Sequence, residues 1–535
     1  MMNFINYRRT GRLFKTGLVA LLVFTSCDNG FEDMNRNPNA YTEPVIGNLF
    51  TTSLIRTAGT GTADRNRTNI KYFAGVMQYM ASLGTNWSGD KNFENGQFGD
   101  FFETAYSVHL KELEQVLAAT EGDAEMVNLH AIANIWRVFV LHRVTDLYGD
   151  VPYLEAGKGF LTQNYKPVYD KQSFIYPDML AKLETAIGQL DAAKSSYGVS
   201  DVVYQGDVAK WKKFAYSLML RLGMRLTEIE EPTAELWVKK AIAGGVMSSN
   251  ADMAKLNHVA GNGNTQNWDA AELKRESLPE SNAGKGPVKL SSTLIDLLKS
   301  KNDPRLPFYA TLWEGNILAI QAQKLPTTTD PAIQKGLPNG YDATTIKTII
   351  PDWSSNDLVN YSEPNTGTIA SLNAPTVLQS YAEVEFLLAE AAIRGWDLGD
   401  PVAHYNAAIT ASMQSTTIFP GGIVISATAI SDYIAAQPLD GATFDEQMEQ
   451  IHTQFYLAHF MWYDNFEAWS NYRRTGYPTL VQTNYPGNFT GGTPILRLRY
   501  PVSESTLNTV NYNTAVGNLE GKADLYTAPV WWDKQ

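Results

Sequence analysis

MVNLHAIANIWRVFVLHRVTDLYGDVPYLEA, residues 126–156, is the stretch whose reading decides the fold. Met126, Leu129, Ala133, Trp136, Val140, Val144 and Leu147 recur every three or four residues and line one face of a long helix. Gly149 and Pro152 stop it. The same spacing returns in Tyr176, Met179, Leu180, Leu183, Ile187 and Leu190. Asp207 stands where an N-cap belongs, ahead of Trp211, Phe214, Leu218, Leu222 and Leu226. Tyr381, Val384, Leu387, Leu388, Ala391 and Ala392 form another stripe, closed by Gly395. Ile451, Phe455, Ala458, Trp462, Phe466 and Trp469 read as one last long helix. Several stripes come in neighbouring pairs, and short loops pack such pairs antiparallel as helix–turn–helix units. No fixed repeat length is visible, so the repeat is irregular. The expected fold class is mainly α.

Between about residues 250 and 375 the texture changes. GNGNTQNWD, SNAGKGP, KNDPRLP, LPTTTDP, KGLPNGYD and PDWSSND are all turn-rich and polar. A similar stretch, QTNYPGNFTGGTP, follows the last stripe. This much connection within one chain usually serves function. No linker isolates a second core, so residues 46–535 read as a single α-rich domain with a loop-rich face.

The amino terminus has its own logic. Arg8, Arg9, Arg12 and Lys15 precede the short apolar run GLVALLVF, then Thr25, Ser26 and Cys27. That order reads as a secretory signal over residues 1–26, too short in its apolar part to span a bilayer. Cys27 is the only cysteine in 535 residues and stands where a bacterial lipoprotein is acylated. Two or three acyl chains anchor stably, because each buried CH₂ contributes about 0.8 kcal/mol. Residues 27–45, rich in Asn, Asp and Pro, read as the lipidated tether. Removing the basic leader takes the net charge from −13 to −17. An acidic surface argues against nucleic-acid partners and against lying on anionic lipid. With Cys27 acylated no disulfide forms, so the fold relies on core burial. Beyond residue 27 no apolar run approaches the roughly 20 residues of a membrane helix. Membrane attachment is therefore expected through the lipid alone.

Signatures of catalysis are weak. Asp146, Asp150 and Glu155 lie close together, as the acid and base of a glycosidase do. Their setting, a helix end followed by a tight turn, favours caps over catalysts. Glu383, Glu385 and Glu390 fall on the polar side of an apolar helix, an ordinary solvated or interhelical face, with Glu390 four residues before Arg394. His452 and His459 are too far apart on one helix to share a metal. No HExxH, G-x-S-x-G, phosphate loop or dinucleotide fingerprint occurs. No cofactor or metal is expected. The aromatics say more: the chain has 12 Trp and 27 Tyr. Trp87 in LGTNWSGDKNF, Trp268 in TQNWDA and Trp353 in PDWSSND lie in polar loops. A ring face beside amides and carboxylates is one half of a sugar site. A loop tryptophan folded back onto the core gives the same pattern. Trp87 is the first candidate, with Asn86, Ser88, Asp90 and Lys91 around it, and Gln78 and Phe93 as companions.

Several segments together resemble the SusD/RagB family of outer-membrane lipoproteins from Bacteroidota. They are SCDNGFEDMNRNPNA, NIWRVFVLHRVTDLYGDVPYLEA, DVAKWKKFAYSLMLRLGMRL, KNDPRL, YAEVEFLLAEAAIRGW, YNAAITASM, and FEAWSNYRRTGYPTL followed by RLRYPVSE and VWWDK. Each is weak alone, but their order over most of the chain is specific. The resemblance implies a scaffold of tetratricopeptide-like helix pairs with a loop-rich ligand-binding face. It also implies a surface-exposed lipoprotein that captures oligosaccharide and caps a SusC-like TonB-dependent transporter. Some relatives handle peptides instead, and a surface glycoside hydrolase is the third reading. Trp87 falls in the early loop where starch-binding members place a stacking aromatic. Arg221, Arg225, Tyr472, Arg473 and Arg474 belong to the shared motifs. Their chemistry suits bidentate pairing with carboxylates and helix ends.

Overall fold

Helices form where the stripes place them. The computed structural model describes residues 45–59, 65–93, 99–261, 265–277, 286–314, 327–397, 399–482 and 485–533. The signal segment, Cys27 and all but the last residue of the tether lie outside the described residues. Residues Gly47–Gln535 form one compact unit. Its main helices are α1 (Ile46–Thr57), α2 (Lys111–Thr120), α3 (Val127–Tyr148), α4 (Gln172–Gln189), α5 (Val208–Met224), α6 (Glu231–Gly244), α7 (Tyr381–Ile393), α8 (Pro401–Gln414), α9 (Phe444–His459) and α10 (Asn465–Thr475). They pack as neighbours: α3 on α2 and α4, α5 on α6, α7 on α8 and α9, and α9 on α10.

The ends follow from local chemistry. Asp207 caps α5 by accepting from the Lys210 amide at 3.1 Å. Ser380 caps α7 through the Glu383 amide at 3.0 Å. Thr443 and Glu446 cap α9 reciprocally. Gly149, at φ 83°, ends α3 in a conformation that side chains disfavour. In α7 nearly every residue is buried, so its apolar character runs all round the helix, as in a core element.

The loop-rich region carries only short strands. β1 (Met80–Ser82) pairs antiparallel with β3 (Val288–Leu290), in the register Met80 with Leu290. β2 (Ala254–Leu256) pairs with β7 (Thr376–Gln379). β4 (Ala310–Trp313) lies between β5 (Thr327–Thr328) and β6 (Glu363–Pro364). These strands stitch the long connections to the helical scaffold.

One expectation needs correction. The last stripe is not one helix. α9 ends at His459, a 3₁₀ turn covers Phe460–Trp462, and Tyr463 adopts φ 53° before α10 begins. Apolar periodicity continues across the break, which is why the sequence conceals it. Asp464 explains the turn. It caps α10 through the Glu467 amide at 3.2 Å and accepts two bonds from Arg143 on α3, both 2.5 Å. The Tyr463 carbonyl exposed by the break accepts from Arg65 and Asn69, each at 2.6 Å.

On α7 the interhelical reading of the glutamate face holds, not the solvated one. Glu383 and Glu390 are 2% and 0% exposed, not solvated. Glu383 is gripped by Arg221 of α5 through two bonds of 2.7 Å. Glu390 takes two bonds of 2.6 Å from Arg474 of α10, a third from His452 of α9 at 2.9 Å, and a fourth from Arg394 at 2.9 Å. Arg225 reaches Glu467 at 2.7 and 2.8 Å. The bidentate pairing suggested by the arginine chemistry is thus present, between helices.

Removing one partner of such a pair strands a buried charge. Arg474→Ala should lower unfolding free energy by about 3–5 kcal/mol in urea titration. Burial alone would raise the Glu390 pKa, yet Arg474 and His452 hold it well below the ordinary carboxylate value. A depressed carboxylate contributes stability above its unfolded pKa and loses it as pH falls through the folded value. Asp533, pushed up to about 7 by burial, acts oppositely between its ordinary value and that pH. The acid limb below about pH 4 therefore reads the pairs. Stability should fall steeply there, and less steeply in Arg474→Ala. Equal slopes in the two proteins would show that the pair contributes nothing.

Candidate ligand-binding cleft

The loop-rich face is built around the segment 78–93. A π-helical turn, Asn66–Phe73, leads into it. Gln78 then adopts φ 52° and turns its amide onto the segment after α10. Its Nε2 donates to the Val481 carbonyl at 2.6 Å, and its Oε1 accepts from the Val481 amide at 3.0 Å and from Thr293 at 2.8 Å. With both ends of its amide engaged, Gln78 clamps two loops together.

The next turn is organised from inside. Asp90 and Lys91 are both buried and paired at 2.8 Å. The Lys91 ammonium also donates to the carbonyls of Ser82 and Trp87. Asp90 accepts from the amides of Ser82 at 3.1 Å and Gly340 at 3.3 Å. A buried ion pair satisfied by backbone groups on all sides makes this loop a preformed unit. It also settles the side chains around Trp87. Ser88, Asp90 and Lys91 face inward, and only Asn86 of that group is exposed.

Trp87 itself is 3% exposed, and its ring offers no face to a ligand in this structure. Trp353 is 6% exposed and packs with Leu83, Leu337, Ile346, Leu358 and Tyr361 in a satellite core beneath β1. Trp268 is half-buried at the start of the helix Trp268–Ser277. The folded-back reading thus describes Trp87 and Trp353, because the Asp90–Lys91 pair and the apolar floor under β1 draw both rings in.

A cavity of about 210 Å³ opens between this loop, α10 and the segment 480–495. Gln78, Asp90, Asn92, Trp469, Tyr472 and Gln482 are among its walls. Beside Asn92, the half-buried Phe93 meets Tyr485 edge to face, with centroids 6.2 Å apart. The Tyr485 hydroxyl donates to Asp342 at 3.0 Å. Burial and that carboxylate raise the phenol pKa, so Tyr485 stays protonated. Asp342 is held low, against the effect of burial, by bonds from the Thr345 and Thr344 amides. Asn92 donates to Thr490 at 3.2 Å and to the Thr493 carbonyl at 3.3 Å. The aromatic pair thus lies beside fixed amides and a carboxylate, an apolar wall next to polar groups. Of the companions named from the sequence, Phe93 belongs to this ring pair and Gln78 serves as the loop clamp. Tyr485 in QTNYPGN, and the PNGYD segment that ends in Asp342, carry the same sequence signal as the loop tryptophans, an aromatic among turn-forming polar residues.

The clustered carboxylates have structural duties. Asp146 accepts from the Trp532 indole at 3.0 Å and from the Tyr176 hydroxyl. Asp150 accepts from the Gln172 amide at 2.9 Å, and Glu155 from Asn164 at 2.9 Å. His142, Asp146 and Glu467 approach one another, but Arg221 lies within reach of His142 and Glu467, and Arg225 within reach of Asp146 and Glu467. Guanidinium groups already neutralise that cluster and repel a cation.

A scaffold of paired helices bearing one loop-rich face defines a class of binding proteins. Residues 38–501 match the SusD-like family described as starch-binding and associating with the outer membrane, and the chain belongs to that family. Solved structures agree. A chitin-binding protein is 30% identical, with a TM-score of 0.78, covering 92% of this chain and 100% of its own. A SusD-like protein from Bacteroidetes is 26% identical, with a TM-score of 0.77 and the same coverage. A chitin-binding SusD homologue from Flavobacterium johnsoniae is 23% identical, with a TM-score of 0.73, covering 92% of this chain and 99% of its own. Curated proteins provide no match. The fold is therefore the helix-pair scaffold of SusD homologues. Among the described residues no helix is long and apolar enough to cross a membrane.

Trp87→Ala should act on stability first. Truncating a buried tryptophan costs about 3–5 kcal/mol, whereas Asn86→Ala on the surface should be near neutral. Urea unfolding of both variants checks this, and an unchanged midpoint for Trp87→Ala would mean that the ring does not support the loop.

Proposed function

We propose that this protein is a cell-surface glycan-binding lipoprotein that hands oligosaccharides to a SusC-like TonB-dependent transporter without altering them. The observation that carries the glycan reading is the Phe93–Tyr485 pair, with Asn92 next to Phe93 in the chain and Asp342 bonded to the Tyr485 hydroxyl, on the loop face of a SusD-like scaffold. A sugar's apolar face stacks on the rings, and its hydroxyls bond to the amides and the carboxylate. The 30% identical chitin-binding protein supports the ligand class. Trp87 backs the loop that presents Phe93, and the exposed Asn86 adds an amide at its edge. Chito-oligosaccharides and malto-oligosaccharides are the first probes. Tyr485→Ala should weaken binding by about 2 kcal/mol, as loss of an aromatic anchor does, with the unfolding midpoint preserved. Full affinity in that variant would move the site elsewhere. Release of reducing ends from either probe would make the protein a hydrolase.

Delivery rests on the anchor and the partner. Cys27 follows a basic, then apolar leader and is the sole cysteine. Cys27→Ala should shift the protein from the membrane to the soluble fraction or leave it unprocessed. The wild type, solubilised in mild detergent, should carry a large outer-membrane barrel with it. Membrane retention of the variant would refute the lipid, and recovery of the wild type alone would refute the partner.

A further inference from the structure

A second groove lies between the start of the helical stretch 100–120, the turn after α3, and residues 503–507. Its volume is about 750 Å³, larger than that of the first cavity, and the two share no wall residue. Two aromatic rings stand in it nearly free. Phe160 is 69% exposed and Tyr165 is 74% exposed. Neither follows from folding, since burying each would contribute roughly 1.5–3 kcal/mol. The Tyr165 ring is nonetheless positioned. It lies so close to Gly159 that a Cβ there would stand 3.1 Å from its Cδ1. Tyr106 adds a third ring to the walls, fixed by a 2.8 Å bond from its hydroxyl to the Pro152 carbonyl.

Polar groups face these rings, each fixed from behind. Glu103 accepts from Ser503 at 2.6 Å on one oxygen. Glu155 accepts from Asn164 at 2.9 Å on one oxygen. Glu504 accepts from Tyr169 at 2.6 Å and from Asn508 at 3.2 Å, again on one oxygen. In each carboxylate the second oxygen keeps its acceptor capacity. Among the described wall residues Lys111 is the one cation, and Glu112 pairs with it at 3.3 Å. The groove thus combines exposed ring faces, preoriented acceptors and negative charge.

We propose that this groove is a second saccharide-binding site, taking oligosaccharides of neutral or amine-bearing hexoses and rejecting acidic ones. Ring faces stack on the axial C–H groups of a hexose, and the free carboxylate oxygens accept from hydroxyls or from an ammonium. Uronic or sulfated sugars would meet three carboxylates, and like charges in a partly desolvated groove repel. The inference goes beyond the first cleft and does not depend on it.

The probes are pentamers of glucosamine, N-acetylglucosamine and galacturonate, titrated by calorimetry into Tyr485→Ala protein, in which the ring pair of the first cleft is removed and binding there is weakened. Glucosamine pentamer should bind best, N-acetylglucosamine pentamer more weakly, and galacturonate pentamer not at all. Phe160→Ala/Tyr165→Ala should lose about tenfold or more in affinity, as truncation of anchoring aromatics does. Both rings are exposed, so its unfolding midpoint should match the parent's. Glu155→Gln should reduce the preference for the amine-bearing probe while sparing the N-acetylated one. Absence of binding to Tyr485→Ala protein, unchanged affinity in the double variant, or equal binding of the galacturonate probe would each overturn the site. If the double variant instead loses only a co-purifying protein and no saccharide, the patch is a protein interface and the proposal fails.

Discussion

Arginine–carboxylate pairs buried between helices set the frame on which everything else rests. Arg143–Asp464, Arg221–Glu383, Arg225–Glu467 and Arg474–Glu390 join α3, α5, α7 and α10, and His452 brings in α9. Apolar packing holds such helices together without dictating their register, because an aliphatic face slides at little cost. A bidentate guanidinium–carboxylate pair in a dry interior tolerates no such slip, since one lost partner leaves a charge unsolvated. These pairs therefore act as registry pins. A hydrophobic replacement of similar volume could be equally stable, so their contribution is read as specificity of arrangement.

The pins reach the loop-rich face through Asp464. Its pairing with Arg143 requires the chain to leave the α9 direction at Tyr463. The carbonyl freed there is bonded by Arg65 and Asn69, which begin the turn leading into the segment 78–93. That segment is then fastened by Gln78 to Val481 and by Asp90 to Gly340. A chain of charged and backbone bonds thus runs from the helical core to the loops that display Phe93 and Tyr485. Loops held this way lose little freedom when a ligand arrives, so a shallow surface can bind without reshaping itself. The same economy appears in the second groove, where each carboxylate is held on one oxygen by a neighbouring hydroxyl or amide.

Helix positions, their caps at Asp207 and the stops at Gly149 and Gly395 were legible in the sequence, because they depend on neighbours within a turn. The order of motifs made the family legible too. The break at Tyr463 was not, since the apolar spacing continues through it and its cause, Arg143, lies over 300 residues away in the chain. Whether Glu383 and Glu390 face solvent or another helix was open for the same reason: their partners sit on other helices. Trp87 marks the limit most clearly. A tryptophan among Asn, Ser and Asp reads as a display residue, yet the Asp90–Lys91 pair turns inward and takes the loop's polar groups with it. Sequence alone determined the class of fold and the loop-rich character of one face. Only tertiary structure decided which aromatics meet solvent, because exposure depends on what the rest of the chain places over each ring.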